Sequence, residues 1–373
     1  MKFEIISECK KTGARAGKIY TDHGAINTPF FMPVGTYGSV KTQTSQEIAK
    51  LPSNVLLSNI YHLYLRPNTE ILKESGGLHK FMNWDGIILT DSGGYQIYSL
   101  AGHRKITDNG VTFKSHYDGT MHEFSPEKII DIQRIIGSDF MMLLDVCPPG
   151  ETNLIEWEVA VNLTTKWAYQ AHEHYAKTKP LYSHKQSIIP IIQGGTNKDL
   201  RMKSATELLD LNLENYAIGG LAVGEPKEDM LKTTTLMNEI IPRQKSRYLM
   251  GVGTPADLIK CIKRGIDMFD CVIPTRNARN AQIFTLNGKL NIRNARFKND
   301  FSVIDENSTS SLSRKYSKAY LHHLFRMNEI LALRIATAHN LHFYIEIMQT
   351  AREKIKEGLF SEWSNEFLEC YSE

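Results

Sequence analysis

Cysteine is scarce in this sequence, and none of it is arranged for pairing. The five cysteines, Cys9, Cys147, Cys261, Cys271 and Cys370, are scattered, odd in number and form no CxxC pair. That excludes a disulfide framework and a cysteine-built zinc knuckle, and leaves buried or incidental thiols. Long apolar runs are missing too: the longest, such as residues 140–144 and 188–192, fall far short of a bilayer span. The first residues, Met1-Lys2-Phe3-Glu4, carry charge where a signal peptide needs an apolar stretch. The cytoplasm is the expected compartment, with no membrane partner.

What is present is an ordinary globular mixture, 42% hydrophobic and 23% charged over 373 residues, with enough apolar material for a large core. The length suits an α/β barrel of about 250 residues with additions. The net charge of +3 hides an asymmetry. Between Arg276 and Arg326 ten basic residues (Arg276, Arg279, Lys289, Arg293, Arg296, Lys298, Arg314, Lys315, Lys318 and Arg326) stand against three acids, Asp300, Asp305 and Glu306. That segment is +7 and the remainder −4. A basic block on a mildly acidic body fits a polyanion partner, although solvated basic faces are common.

Short apolar segments recur along the chain with helix-compatible stretches between them. They are Pro29–Val34, Asn54–Ile60, Gly86–Thr90, Asp139–Asp145, Ile188–Gln193, Tyr216–Gly220, Arg247–Gly251 and Met268–Ile273, eight in all. Their apolar residues are consecutive rather than alternating, as in parallel strands covered on both faces. Ser125-Pro126-Glu127 opens a helix in N-cap and N1 style; Pro226–Ile240 and Pro255–Arg264 read as two more. Eightfold strand–helix alternation favours a (β/α)8 TIM barrel over residues 29–275. Residues 1–28, with the Asp22-His23-Gly24 turn signal, read as an N-terminal hairpin region, and 101–124 as a β-rich insertion. Residues 276–373 read as a basic segment and a C-terminal helical subdomain, with helices expected over Tyr316–Thr337 and His342–Lys356.

Every strand–helix loop of such a barrel converges on the C-terminal strand ends, where the active site lies. Those ends carry Asp91-Ser92-Gly93-Gly94-Tyr95-Gln96, Asp145, Gln193, Gly219-Gly220-Leu221, Met250-Gly251 and Asp270. Glycines let backbone approach a flat ligand, and Asp145 with Gln193 offers the donors and acceptors that read a base edge. Two carboxylates across an anomeric carbon, Asp91 and Asp270, follow the logic of glycoside chemistry: one attacks or stabilises, the other moves a proton. A lone strand-end aspartate is more often an N-cap; the joint placement is what argues for chemistry. An ordinary glycosidase would need sugar-stacking rings at the mouth, yet Trp84, Trp157, Trp167 and Trp363 all lie away from expected strand ends.

The segments Asp91–Gln96, Gly219–Glu225, Met250–Pro255 and Phe269–Arg276 closely resemble the motifs of bacterial tRNA-guanine transglycosylases, in order and with suitable spacing. The likeness runs from about Phe3 to the final helices. It implies exchange of guanine at the wobble position of GUN-anticodon tRNAs for the 7-deazaguanine preQ1, on the route to queuosine, by a double displacement. By matching positions Asp270 would be the nucleophile, forming a covalent bond to ribose, and Asp91 the general acid/base. The base would lie against Tyr95 over Ser92, Gly93 and Gly94, read by Asp145, Gln193 and Gly220. Leu221, Glu225 and Met250 would complete its pocket. Contacts to tRNA would come from Gly251, Val252, Gly253, Thr254, Pro255, Ala256 and Asp257, and from Thr275, Arg276, Asn277, Ala278 and Arg279. Such enzymes are expected as homodimers.

The sequence departs from that pattern where relatives carry a Cys-x-Cys-x-x-Cys cluster and a distant histidine holding structural zinc. Ser308, Ser310 and Ser313 stand at the cysteine positions, and His339 is retained. Serine hydroxyls are poor zinc ligands, so no zinc and no other cofactor is expected there. Val146 replaces a commonly acidic residue after Asp145, and Val223 is larger than in relatives that accept queuine, which favours preQ1. Loss of the zinc ligands leaves room for a second reading, a non-catalytic tRNA-binding partner subunit. An archaeosine-type enzyme would need an extra RNA-binding module that this length does not accommodate.

Overall fold

The computed structural model describes residues 1–100 and 103–371; Ala101 and Gly102 of the expected insertion, and the last two residues, lie outside them. Parallel strands form two sheets. One orders Ser187–Ile189, Phe140–Met142, Ile87–Thr90 and Val55–Ser58; the other orders Ile191–Ile192, Asn215–Ile218, Ser246–Leu249, Met268–Asp270 and Phe30–Met32. Each lies within or overlaps one of the expected apolar segments. The segment expected as one strand over Ile188–Gln193 is two strands. Pro190 lacks the N–H that would continue the ladder, while its carbonyl still accepts from Ala217 at 2.9 Å. A further parallel bridge joins Val34 to Leu57.

Both faces of these strands are covered, which explains the unbroken apolar runs. Phe30, Met32, Val55, Leu57, Ile87, Leu89, Phe140, Met142, Ile189, Ile191, Ala217, Tyr248 and Met268 pack in one cluster. Their neighbours in sequence, such as Phe31, Met141, Ile188, Ile218, Leu249 and Phe269, turn the other way and pack with helical residues. Helix Pro126–Ile136 begins at Ser125, whose hydroxyl accepts from Lys128 N, and ends at left-handed Gly137. Pro226 flanks helix Lys227–Ile240, and Thr254 caps Pro255–Ile262.

The N-terminal hairpin is a three-stranded antiparallel sheet, Lys2–Glu8, Arg15–Thr21 and Gly24–Thr28. The 103–124 region holds a second one, Arg104–Thr107, Gly110–Lys114 and Met121–Phe124. The C-terminal helices differ from expectation. Helix Lys318–Arg326 stops at Asn328, whose φ of 56° ends it, and a new helix runs unbroken over Ile330–Glu357. His339 and Asn340 fall in the gap between the two expected helices, and both are buried within this single one. His339 meets the Phe284 carbonyl, and Asn340 bonds Phe284 N and the carbonyls of Pro274 and Gln282. Apart from Pro274, those partners belong to hairpin Gln282–Thr285/Gly288–Asn291, which the sequence reading missed along with helix Phe360–Cys370.

One ion pair fastens the N-terminal sheet to the strands. Buried Arg15 donates Nε to Asp267 Oδ1 at 2.9 Å and Nη2 to Oδ2 at 2.5 Å, and Asp267 also accepts from Arg247 N. Removing one partner of such a pair strands a buried charge. Arg15→Met is therefore expected to lower unfolding free energy by about 3–5 kcal/mol in urea melts; a loss under about 1 kcal/mol would show that the pair holds nothing in place.

Candidate active site

Asp91 directly follows strand Ile87–Thr90 and is 8% exposed. Its carboxylate accepts from the Asn59 side-chain amide and from Ile60 N at 3.0 Å. Burial pushes its pKa up to about 7, against the lowering effect of the Ile60 N–H, and the charge of Asp270 pushes the same way. A carboxyl poised near neutrality can both give and take a proton.

Asp270 ends strand Met268–Asp270. Its Oδ1 accepts from Tyr248 Oη at 2.7 Å and from Gly251 N at 2.9 Å. Among the described residues Oδ2 has no hydrogen-bond partner, which leaves one oxygen bare. Burial raises this carboxyl as well, while the Gly251 N–H and the Tyr248 hydroxyl oppose the shift and favour the anion. Asn59 and Tyr248 were missed in the sequence. Asn59 ends an apolar run and Tyr248 looked like core, because only the tertiary fold turns their polar atoms toward aspartates.

Asp145 lies at the same edge, accepting from Ser92 Oγ at 2.8 Å and from Gln193 Nε2 at 2.7 Å. Gln193 Oε1 is buried without a partner, an acceptor left over in a site that otherwise satisfies its polar groups. Backbone approaches closely here: a Cβ on Gly94 would stand 2.6 Å from the Asp145 carbonyl, and one on Gly220, at φ 63°, 2.4 Å from Gln193 Oε1. Tyr95, 53% exposed, projects from helix Gly94–Leu100 beside them. Gly220, Gly195, Glu225 and Trp157 line a cleft of about 180 Å³, so a tryptophan does reach the site, carried there by helix Leu154–Lys177. Glu225 spends both carboxylate oxygens on Ala222 N and Val223 N, and Leu221 is buried. Val146 is turned into an apolar cluster with Leu144 and Trp167.

Of the two segments expected to touch RNA, the first is mostly interior and the second is mixed. Val252, Gly253, Pro255, Ala256 and Asp257 are buried, as are Thr275 and Ala278. Residues 252–257 follow the turn that presents exposed Gly251 to Asp270. Met250, before that turn, packs partly against the strand cluster. Thr254, Asn277 and Arg279 are partly accessible and Arg276 is exposed. Arg276 and Arg279 sit on helix Ile273–Arg279, three residues beyond the Asp270 strand, with Arg279 tethered to the Thr275 carbonyl at 2.9 Å.

The family model described as "Queuine tRNA-ribosyltransferase" matches residues 9–373. Proteins of that name are 48% identical in Thermoanaerobacter pseudethanolicus and 46% in Bacillus subtilis, each over the whole of this chain and 98% and 96% of those proteins. One from Ruminiclostridium cellulolyticum is 47% identical over 99% of this chain. The chain belongs to the queuine tRNA-ribosyltransferase family.

At the position where the resemblance implies structural zinc, the described residues Ser308, Ser310, Ser313 and His339 do not fit the ion. The five cysteines are free and four are buried apart. Ser313 Oγ lies 2.7 Å from His339 Nδ1, and His339 Nε2 lies 2.7 Å from the Phe284 carbonyl. A carbonyl only accepts, so Nε2 carries the proton and Nδ1 takes that of Ser313: both nitrogens are committed. Burial holds the pKa of His339 down, consistent with a neutral ring. Ser308 and Thr309 hydrogen-bond Glu346 instead.

The raised Asp91 carboxyl has a consequence for stability. Folding favours its protonated form, so its contribution is full below the unfolded value of 3.8 and is lost as pH rises through about 7. Relative to the native protein, Asp91→Asn should gain on the order of 2–3 kcal/mol between pH 5 and pH 8 in denaturant melts; a pH-independent difference would contradict the assignment.

Proposed function

We propose that this chain exchanges guanine at the wobble position of GUN-anticodon tRNAs for preQ1 in queuosine biosynthesis, through a covalent Asp270–ribose intermediate. The observation that carries it is the pairing of a half-bare carboxylate, Asp270, with a carboxyl near neutrality, Asp91, at one strand edge. Asp270 Oδ2 attacks the ribose anomeric carbon; the glycosidic C–N bond breaks, and guanine leaves with a proton delivered by Asp91. The incoming base gives its ring-nitrogen proton to Asp91, bonds the same carbon and expels Asp270 as carboxylate. A base taken out of the anticodon stack needs a ring to lie on and an edge to pair with. Tyr95 supplies the first; Asp145, the unpartnered Gln193 Oε1 and the Gly220 backbone supply the second. Leu221, Glu225 and Met250 bound the pocket, and Val223 narrows it toward preQ1. Arg276 and Arg279 meet the anticodon-loop phosphates.

The site stands at the mouth of a closed (β/α)8 barrel, a reading supported by contacts at both joins of the two sheets. Val34, just after strand Phe30–Met32 of one sheet, bridges Leu57 of the other, and the chain passes from Ile189 in one sheet through Pro190 to Ile191 in the other. The antiparallel sheet before it and the helices after Thr275 are additions, and the C-terminal helices hold together without zinc at His339. The protein works as a cytoplasmic homodimer; among the described residues no helix is long and apolar enough to cross a membrane.

Asp270→Ala is expected to abolish exchange of labelled guanine and covalent capture of tRNA while leaving tRNA binding intact; wild-type turnover by this variant would overturn the nucleophile. Native protein that binds tRNA without exchange would favour the alternative, a non-catalytic partner subunit. Tyr248→Phe removes one donor that favours the Asp270 anion. It should lower kcat about tenfold, near 1.4 kcal/mol, and move the acid limb of the kcat/KM profile to higher pH; an unmoved limb would exclude this role.

A further inference from the structure

Three histidines meet at the opposite end of the strands from Asp91 and Asp270. His23 occupies the turn between strands Arg15–Thr21 and Gly24–Thr28, His79 lies in helix Leu78–Met82, and His184 precedes strand Ser187–Ile189. One ring nitrogen of each lies within 4.8 Å of one from each of the others. The rings of His23 and His79 stack at 4.1 Å, and His184 is 4.5 Å from His23. All three are partly accessible to solvent.

The hydrogen bonds fix which nitrogens are available. His79 Nε2 lies 3.0 Å from the Gly86 carbonyl and His184 Nε2 2.8 Å from the Gly137 carbonyl. Carbonyls only accept, so both Nε2 atoms carry protons, and each Nδ1 presents a lone pair in the neutral ring. His23 Nδ1 donates to Asp139 Oδ1 at 2.8 Å, which leaves Nε2. Among the described residues these three remaining nitrogens have no hydrogen-bond partner. Asp139 is itself fully buried and anchored by Ile88 N at 2.9 Å. Each imidazole is thus held from behind by a carbonyl or a carboxylate, the arrangement that fixes tautomer and orientation in metal-ligating histidines. Asp22 and Asp85 add negative charge near His23, and the Lys185 N–H ties Asp22 to the His184 loop at 2.7 Å.

We propose that His23, His79 and His184 form a three-imidazole site for a zinc-type divalent cation, with the fourth position open to water. Tetrahedral zinc holds its nitrogens about 3.3 Å apart, so the ion draws the three rings inward from their present stack. The three ligands come from the N-terminal sheet, a helix and a loop ahead of the parallel strands, so the ion pins that sheet to the strands' N-terminal ends. This site is separate from the serine-substituted position at His339 and does not depend on the proposed exchange reaction.

The test uses full-length protein stripped with chelator and titrated with Zn²⁺ in a calorimeter, then with Co²⁺ in a spectrophotometer. One Zn²⁺ per chain is expected, with a tetrahedral Co²⁺ spectrum that lacks a thiolate charge-transfer band. His79→Asn and His184→Asn should each weaken Zn²⁺ binding about 100-fold, while His339→Asn leaves it unchanged. Absence of stoichiometric Zn²⁺ binding, a thiolate band, or binding untouched by the His79 and His184 variants would overturn the site. The Co²⁺ spectrum is read on the native chain, so it decides the question even where a variant fails to fold.

Discussion

Three carboxylates, two buried (Asp91 and Asp145) and one partly buried (Asp270), stand at one edge of the parallel strands, and much of the surrounding structure exists to make that tolerable. Removing a carboxylate from water costs several kcal/mol unless hydrogen bonds replace its hydration. Each aspartate here has at least two donors, among them Asn59 and Ile60, Ser92 and Gln193, and Tyr248 and Gly251. The difference lies in how the donors are distributed. Asp145 has one on each oxygen, Asp91 likewise, and Asp270 has both on Oδ1. A carboxylate bound on one oxygen alone keeps the other available, which is the geometry a nucleophile requires.

That arrangement imposes demands further out. The turn at Gly251 must hold its N–H toward Asp270, and the buried run from Val252 to Asp257, capped by Thr254 and leaning on Tyr344 through the Gly253 carbonyl, fixes it. Tyr344 belongs to the long helix Ile330–Glu357, whose His339 and Asn340 satisfy the backbone of the hairpin after the basic helix. The C-terminal helices therefore brace the active edge through packing and hydrogen bonds. His339 has been absorbed into that bracing, with a serine hydroxyl on one nitrogen and a carbonyl on the other.

Legibility in the sequence followed the range of the forces involved. Strand positions were readable because two-sided burial leaves a local mark, consecutive apolar residues bounded by glycine or a polar group. The helix start at Ser125 was readable because an N-cap serine followed by a first-turn proline is a contact of neighbours. The long helix was read as two, and the residues in the gap between them include His339 and Asn340, whose partners lie in a distant hairpin. Among site residues the aspartates and Gln193 stood out at strand ends. Asn59 and Tyr248 did not, since an amide after an apolar run and a tyrosine within one carry no local sign of an aspartate neighbour.

Composition, periodicity and motif order were enough to establish an α/β chain of parallel strands and its family, because each of these is written in neighbours a few positions apart. The protonation and exposure of those residues came only with the folded chain. Asp91 rises toward 7 because burial and Asp270 act on it together, and most of the 252–257 segment turned out to be interior support. The three histidines at residues 23, 79 and 184 carry no shared motif at all. Long-range packing alone brings them together, and their available nitrogens are defined by backbone carbonyls and an aspartate that no local pattern could connect to them.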